Sequence, residues 1–336
     1  MLPVRVSLSS GLRRSSQLLS GALTVRHSTT SLVCNATFGT LSPQRAARPW
    51  STGSNSGPTG IGPRCSLSSA PELTHQRVKG RRRFYKEVTV REKGGGVEGE
   101  QGVGVADGGW EVLLDSRVLK TPARQPLEFD SPELAMAVAA EWDAQTTDKG
   151  LEPAVMPLMS LACTAIDQVA ADRERTIATC LKYLPTDTVC FESPDPDPVI
   201  ARRQRQLWTP LREWSAETLG IQVETTSEIH LRPQHPPEAS RRARELLESF
   251  DEMTLAAVQS VTMECKSLLI ALALVFRKMT VEKAFEAARL EEEYNVERWG
   301  MIEGGHDMDR ANTTLTLTAA STLLWLRSGG LPKSTQ

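Results

Sequence analysis

A nine-residue apolar run, Leu268 to Phe276 (LLIALALVF), is closed by Lys266 on one side and by Arg277-Lys278 on the other. A membrane-spanning helix needs about 20 such residues, so this run has about half the necessary length. It also has no polar face, and a helix that is apolar all round is buried on every side. The run therefore predicts the central helix of a soluble core, with further helices wrapped around it. No membrane span is expected.

The first 70 residues are a different material. They hold seven Arg, no Lys, no Asp and no Glu, and 15 of them are Ser. Arg-rich, Ser-rich and acid-free is the composition of an organelle transit peptide. Leu18 to Leu23 is too broken to be the compact apolar core of a secretory signal. Residues 1–70 are therefore expected to be a mitochondrial transit peptide or disordered leader, with the cut between Arg26 and Ala70, and the matrix is the expected location. Without the leader the chain has 32 basic and 41 acidic residues, a net charge of −9 with His neutral. An acidic body argues against nucleic acid, whose phosphates need a basic face, and suits a basic protein partner. Cys163, Cys180, Cys190 and Cys265 show no metal-ligand spacing and no CxxC, and are expected to be buried free thiols.

The periodicity changes once along the body. Arg83 to Arg91 reads as a strand, Trp110 to Leu114 as a second, Val118 to Thr121 as a return after the turn at Asp115-Ser116-Arg117, and Leu127 to Phe129 as a short fourth. From Ser131 the pattern is helical, with Ser131 as cap and Pro132 in the first turn. Leu158 to Val169, Asp172 to Leu184, Val199 to Gly220 and Pro237 to Ser249 read as helices. Thr186 to Glu192 reads as a strand or extended strip, Ile221 to Glu224 as a short strand, and Pro194 to Pro198 as a rigid turn. Asp251 is expected to cap a helix that carries the apolar run to about Met279. Thr280 caps the next, and Asp307 or Asp309 opens a last one through Trp325. The fold class is α+β: a small N-terminal antiparallel β domain (71–130, with a Gly-rich insertion at 94–109), then a mostly α-helical C-terminal domain (131–328) and a tail (329–336).

Within Val281 to Gly300 (VEKAFEAARLEEEYNVERWG), Val281, Phe285, Ala288, Val296 and Trp299 fall on one apolar stripe at helical spacing. Glu292 sits on that stripe. A buried carboxylate is costly unless paired, so Glu292 either feeds an internal ion pair or meets a partner. Glu291 and Glu293 read as a solvated face. Trp142, Trp208, Trp214, Trp299 and Trp325 read for the most part as core.

Other chemistries have weak support. The segment from Gly94 to Gly109 lacks the third Gly of a dinucleotide loop and the Lys-Ser/Thr of a P-loop. It precedes a strand, not a helix N-terminus. Glu303, His306 and Asp307 are poor metal ligands beside Gly304-Gly305. No nucleophile elbow occurs. No cofactor or metal is expected. An acid/base enzyme using Glu292 with His306 is the alternative reading.

Several strings together resemble one family, the mitochondrial ATP synthase assembly factors that chaperone the alpha subunit of the catalytic sector. They are RRFYK (Arg82 to Lys86), LDSRVLKTPA (Leu114 to Ala123), LAMAVAAEWDAQ (Leu134 to Gln145), MPLMSLACTAID (Met156 to Asp167) and TDTVCF (Thr186 to Phe191). The later ones are RQ-x3-W-x-P-x3-W (Arg203 to Trp214), SLLIALAL (Ser267 to Leu274) and LEEEYNVERWG (Leu290 to Gly300). The resemblance implies a β domain followed by a helical domain. It implies a non-enzymatic chaperone that shields newly imported alpha subunit until beta subunits arrive; apart from the resemblance, a monomer is the expected state. It also implies an important acidic position in the Leu-Glu-Glu string. Glu292 is the match and Glu293 the alternative; Trp299, on the same stripe, is expected apart from the resemblance to join them as a partner-binding residue.

Overall fold

In the computed structural model the described residues are 81–93, 108–146, 150–194, 198–228 and 230–328. The leader, most of the Gly-rich insertion, the centre of the Pro194–Pro198 turn and the tail lie outside them.

Four strands form one antiparallel sheet. Strand β2 (Trp110–Leu114) is its middle and pairs along its length with β1 (Val88–Glu92), in the register Val88 to Leu114. Its other edge is shared by β3 (Arg117–Val118) and β4 (Glu128–Phe129). A tight two-residue turn joins β2 to β3, with Asp115 at φ 56°, a conformation Asp tolerates. The Asp115 carboxylate accepts the amides of Lys86 and Glu87, both at 3.0 Å.

Helix α1 (Pro132–Asp143) starts as its sequence predicts, the Ser131 hydroxyl accepting the Leu134 amide at 3.2 Å. It packs on β1 and β2. The string at its end ties the sheet to the helices. Arg83 donates to the Asp143 and Gln145 carbonyls and pairs with the Asp143 carboxylate at 2.9 Å. The Tyr85 hydroxyl donates to the Trp142 carbonyl at 2.6 Å. The Glu141 carboxylate accepts the Leu158 and Met159 amides, each at 2.8 Å, and so caps α2 (Pro157–Thr164). Burial drives the Glu141 pKa up to about 7 against those two amides.

Around this joint run α3 (Arg173–Leu181), α4 (Pro198–Leu207), α5 (Thr209–Trp214), α6 (Pro237–Ser249), α7 (Glu252–Cys265) and α8 (Leu268–Val275). They are followed by α9 (Val281–Ala288), α10 (Leu290–Trp299) and α11 (His306–Arg327). Every residue from Leu268 to Leu274 is buried, as the apolar run demands. Helix α8 packs against α5, α7, α9 and α11. One apolar cluster spans the sheet and the helices, from Val88 and Val112 to Leu317 and Leu323. Cys163, Cys180, Cys190 and Cys265 are buried free thiols. No described helix is long and apolar enough to cross a membrane.

Four expectations need correction. The helix begun at Asp251 does not carry the apolar run: Lys266 turns left-handed at φ 53°, and Ser267 caps α8 by accepting the Ile270 amide at 3.1 Å. Thr186 to Glu192 is neither a strand nor an extended strip for most of its length but consecutive tight helical turns, Leu184–Thr186 and Thr188–Cys190, wound around the buried Asp187. Ile221 to Glu224 is not a strand either; only Phe191 and Thr226 make an isolated bridge. The helix expected from Val199 to Gly220 breaks before Pro210, which has no amide to continue it. Gly220, at φ 68°, ends it as expected.

Candidate partner-binding site

Thr280 caps α9 by accepting the Lys283 amide, as its sequence predicts. The helix does not continue into the Glu-rich string. Arg289 leaves helical geometry, at φ −108° and ψ 16°, and α10 starts afresh. The break divides the predicted stripe. Val281, Phe285 and Ala288 pack on the core, whereas Trp299 is 75% exposed and the Glu292 side chain 59% exposed. Glu292 is therefore not a buried carboxylate, and Trp299 is not core. Trp325 is also exposed, at 47%, while Trp142 and Trp208 are buried.

The buried charge is Arg289, whose side chain is 7% exposed. Its guanidinium lies 2.7 Å from Glu292 and 3.4 Å from Glu293, with its carbon 5.9 Å from the Phe285 ring centre. Its Nη2 is shut off from solvent and has no aligned hydrogen-bond acceptor. The approach to Glu292 is therefore an ion pair without hydrogen-bond geometry. Glu293 also accepts from Arg310 Nε at 2.8 Å, which ties α10 to α11. The Arg310 hydrogen bond, with Arg289 adding to it, holds the Glu293 carboxyl below its ordinary range. Glu291 accepts from Gln204 at 2.9 Å, and burial pushes its carboxyl upward. Glu291 and Glu293 are thus not a plain solvated face: each is engaged by another helix.

Beyond α10 the chain makes an elbow. Gly300 (φ 87°) and Gly304 (φ 76°) take conformations that favour glycine. The Ile302 amide donates to His306 Nδ1 at 3.2 Å. Neither Asp307 nor Asp309 caps α11; the cap position is Gly305, and both Asp lie in the first turn, where the helix dipole favours them. Trp299, Met301, Ile302 and Met308 are all exposed within this short stretch. Exposed Glu303, Asp307 and Asp309 surround them in sequence. No group of His, Cys, Asp and Glu with metal-binding geometry occurs among the described residues.

The structure thus places Glu292 and Trp299 on the outer side of the elbow and Glu293 behind it. Sequence reasoning missed Arg289, Arg310 and the apolar trio Met301, Ile302 and Met308. The signal for Arg289 was available: an Arg three and four residues before two Glu is a helical ion-pair spacing. Nothing local announced that Met301 and Ile302 face solvent.

Comparison with known proteins agrees with this architecture. A family model described as ATP12 chaperone protein matches residues 82–216. The mitochondrial protein atp12 of Schizosaccharomyces pombe is 27% identical over 256 residues, covering 72% of this chain and 81% of its own. The crystal structure of Atp12 from Paracoccus denitrificans superposes with a TM-score of 0.64 at 28% identity, over 74% of this chain and 98% of that one. The Atu1473 protein of Agrobacterium tumefaciens, described as a candidate chaperone, gives a TM-score of 0.63 at 32% identity, over 72% and 85%. A small antiparallel sheet followed by a helical body is the architecture shared with these structures. The chain belongs to the ATP12 chaperone family.

Proposed function

We propose that this chain is a non-enzymatic assembly chaperone of the mitochondrial matrix. In this reading it acts as a monomer, binds newly imported ATP synthase alpha subunit, and keeps it from aggregating until beta subunits arrive. Family membership, a mitochondrial relative and the acid-free leader support it.

One observation carries the reading: an exposed carboxylate, Glu292, shares the outer side of the elbow with exposed Trp299, Met301 and Ile302. An unassembled subunit exposes apolar surface larger than soluble monomers tolerate. Apolar side chains on the elbow cover part of it, and Glu292 takes an Arg or Lys of the client. Leaving Arg289 for the client costs Glu292 little, because Glu293 stays beside the buried guanidinium. An ion pair with one partner this exposed is worth at most about 1 kcal/mol. Reversible occupation by mass action needs no nucleotide.

The acid/base alternative gains nothing from the geometry. His306 Nδ1 is occupied by the Ile302 amide, and no hydrogen bond joins His306 to Glu292 among the described residues. The deciding experiment is light scattering with purified alpha subunit, without nucleotide. The protein is expected to suppress aggregation at near-equimolar ratio; undiminished aggregation overturns the reading.

A further inference from the structure

Trp299 is the last residue of α10, and Gly300 turns the chain away behind it at φ 87°. The exposed indole makes no hydrogen bond and no ring–ring contact among the described residues. Its charged neighbour is Arg298, whose guanidinium carbon lies 5.7 Å from the indole ring centre. An unsupported side chain at a helix end moves among rotamers, and a partner that covers it must overcome the loss of that freedom. A neighbour that fixes the ring beforehand removes part of this cost.

Arg298 is itself fixed. Its Nη1 donates to the Tyr294 hydroxyl at 2.7 Å, and its guanidinium carbon is 5.5 Å from the Tyr294 ring centre. Tyr294 is 8% exposed and gives the contact a buried footing. Arg203, on α4, approaches the same ring at 5.9 Å. It also clamps Glu297 through two hydrogen bonds, Nη1 to Oε1 at 3.0 Å and Nη2 to Oε2 at 2.8 Å. Such a planar fork sets orientation as well as distance. Guanidinium and ring thus alternate from α4 to the end of α10, in the order Arg203, Tyr294, Arg298, Trp299. Each step alone is a surface contact of small worth. In series they act on one exposed residue.

Resting on the chaperone reading above, in which Trp299 meets the client, we propose that Arg298 is a positioning residue for that contact. Anchored on Tyr294, it holds the indole in its outward pose before the client arrives. Arg203 steadies the same ladder from α4, so the client contact is set by two helices rather than by the end of one.

The test labels the full chain with 5-fluorotryptophan and reads it by fluorine NMR. The chain has seven Trp, and the Trp299 line is assigned by its loss in Trp299→Phe. In the free protein, Arg298→Ala is expected to shift that line toward its urea-unfolded position, Arg203→Ala to shift it less, and the Trp142 and Trp208 lines to stay in place. Alpha-subunit capture by Arg298→Ala is expected to weaken about threefold, the scale of an exposed cation–ring contact. An unmoved Trp299 line overturns the ladder, even with capture lost, since Arg298 would then touch the client directly. A shifted line with full capture overturns the positioning role; if Trp299→Ala still weakens capture, the chaperone contact stands without it. Capture that survives Trp299→Ala overturns both.

Discussion

Asp187 Oδ2 accepts the amide of Leu269 at 3.1 Å across 82 residues of sequence, and Oδ1 accepts the Val189 amide at 3.3 Å. One fully buried carboxylate thereby joins the Leu184–Cys190 turns to the start of the central helix α8. Burial pushes its pKa up to about 6, with the Ser267 hydroxyl and the amides opposing. Asp187→Ala leaves those amides without acceptors, so a loss of about 3 kcal/mol is expected from urea denaturation. Asp187→Asn keeps one acceptor and is expected to lose about half as much. Equal stability of the Ala variant and the parent would exclude this role.

Stability is expected to fall as pH rises from about 5 to 8. Glu141, at about 7, and Asp187, at about 6, both have folded-state pKa values above the ~4 of an unfolded carboxyl. The folded state therefore holds more protons across this window, and ∂ΔG/∂pH is negative there. The stability the two groups contribute is complete below the unfolded value and is lost as pH passes 6 and 7, to about 2–3 kcal/mol each. Glu293 and Asp251 are held low; they act in the opposite sense, but only as pH falls below the ordinary carboxylate range. Urea midpoints at pH 5.5, 6.5 and 7.5 test the sign, and Glu141→Gln is expected to flatten the slope. Midpoints that climb with pH refute the assignment.

Glu292 and Glu293 are separable by charge reversal. Glu292→Lys places its new charge in solvent and is expected to change stability by less than about 1 kcal/mol while abolishing alpha-subunit capture. Glu293→Lys removes the bridge between Arg289 and Arg310. It is expected to cost about 3 kcal/mol by leaving the buried guanidinium poorly compensated. Thermal melts beside pull-downs distinguish them; a folded Glu292→Lys protein that still binds removes Glu292 from the interface.

Two tryptophans make a second contrast. Trp208 is 1% exposed and donates from Nε1 to the Ala287 carbonyl at 2.9 Å, so Trp208→Ala is expected to cost about 3–5 kcal/mol. Trp299→Ala is expected to stay within about 0.5 kcal/mol of the parent and to weaken client binding at least tenfold, as about 2 kcal/mol of hot-spot loss implies. Binding that survives Trp299→Ala would move the contact elsewhere.

What the sequence discloses is what depends on near neighbours. Ser131, Asp251 and Thr280 cap the helices they precede, because capping needs only a side chain and an amide three residues on. The β2–β3 turn and the buried apolar run were legible for the same reason. Thr186 to Phe191 misled because β-branched residues favour strands, but here Asp187 must reach Leu269, and tight turns bring it there. The break at Lys266 carries no Gly or Pro; only Ser267 before the apolar run hinted at it. The break at Arg289 had no such marker, and beyond it Glu292 and Trp299 look outward. Their environment depends on α11 arriving from elsewhere, with Arg310.

The strings that betray kinship here are mostly rivets. Arg83 and Tyr85 fasten to Trp142 and Asp143, Glu141 holds the start of α2, and the recognised stretch stops at residue 216. The elbow begins more than seventy residues later. A descendant could therefore keep its pedigree intact while its grip on cargo drifted, and surveys of this lineage that score only the riveted half would count such a chain as working.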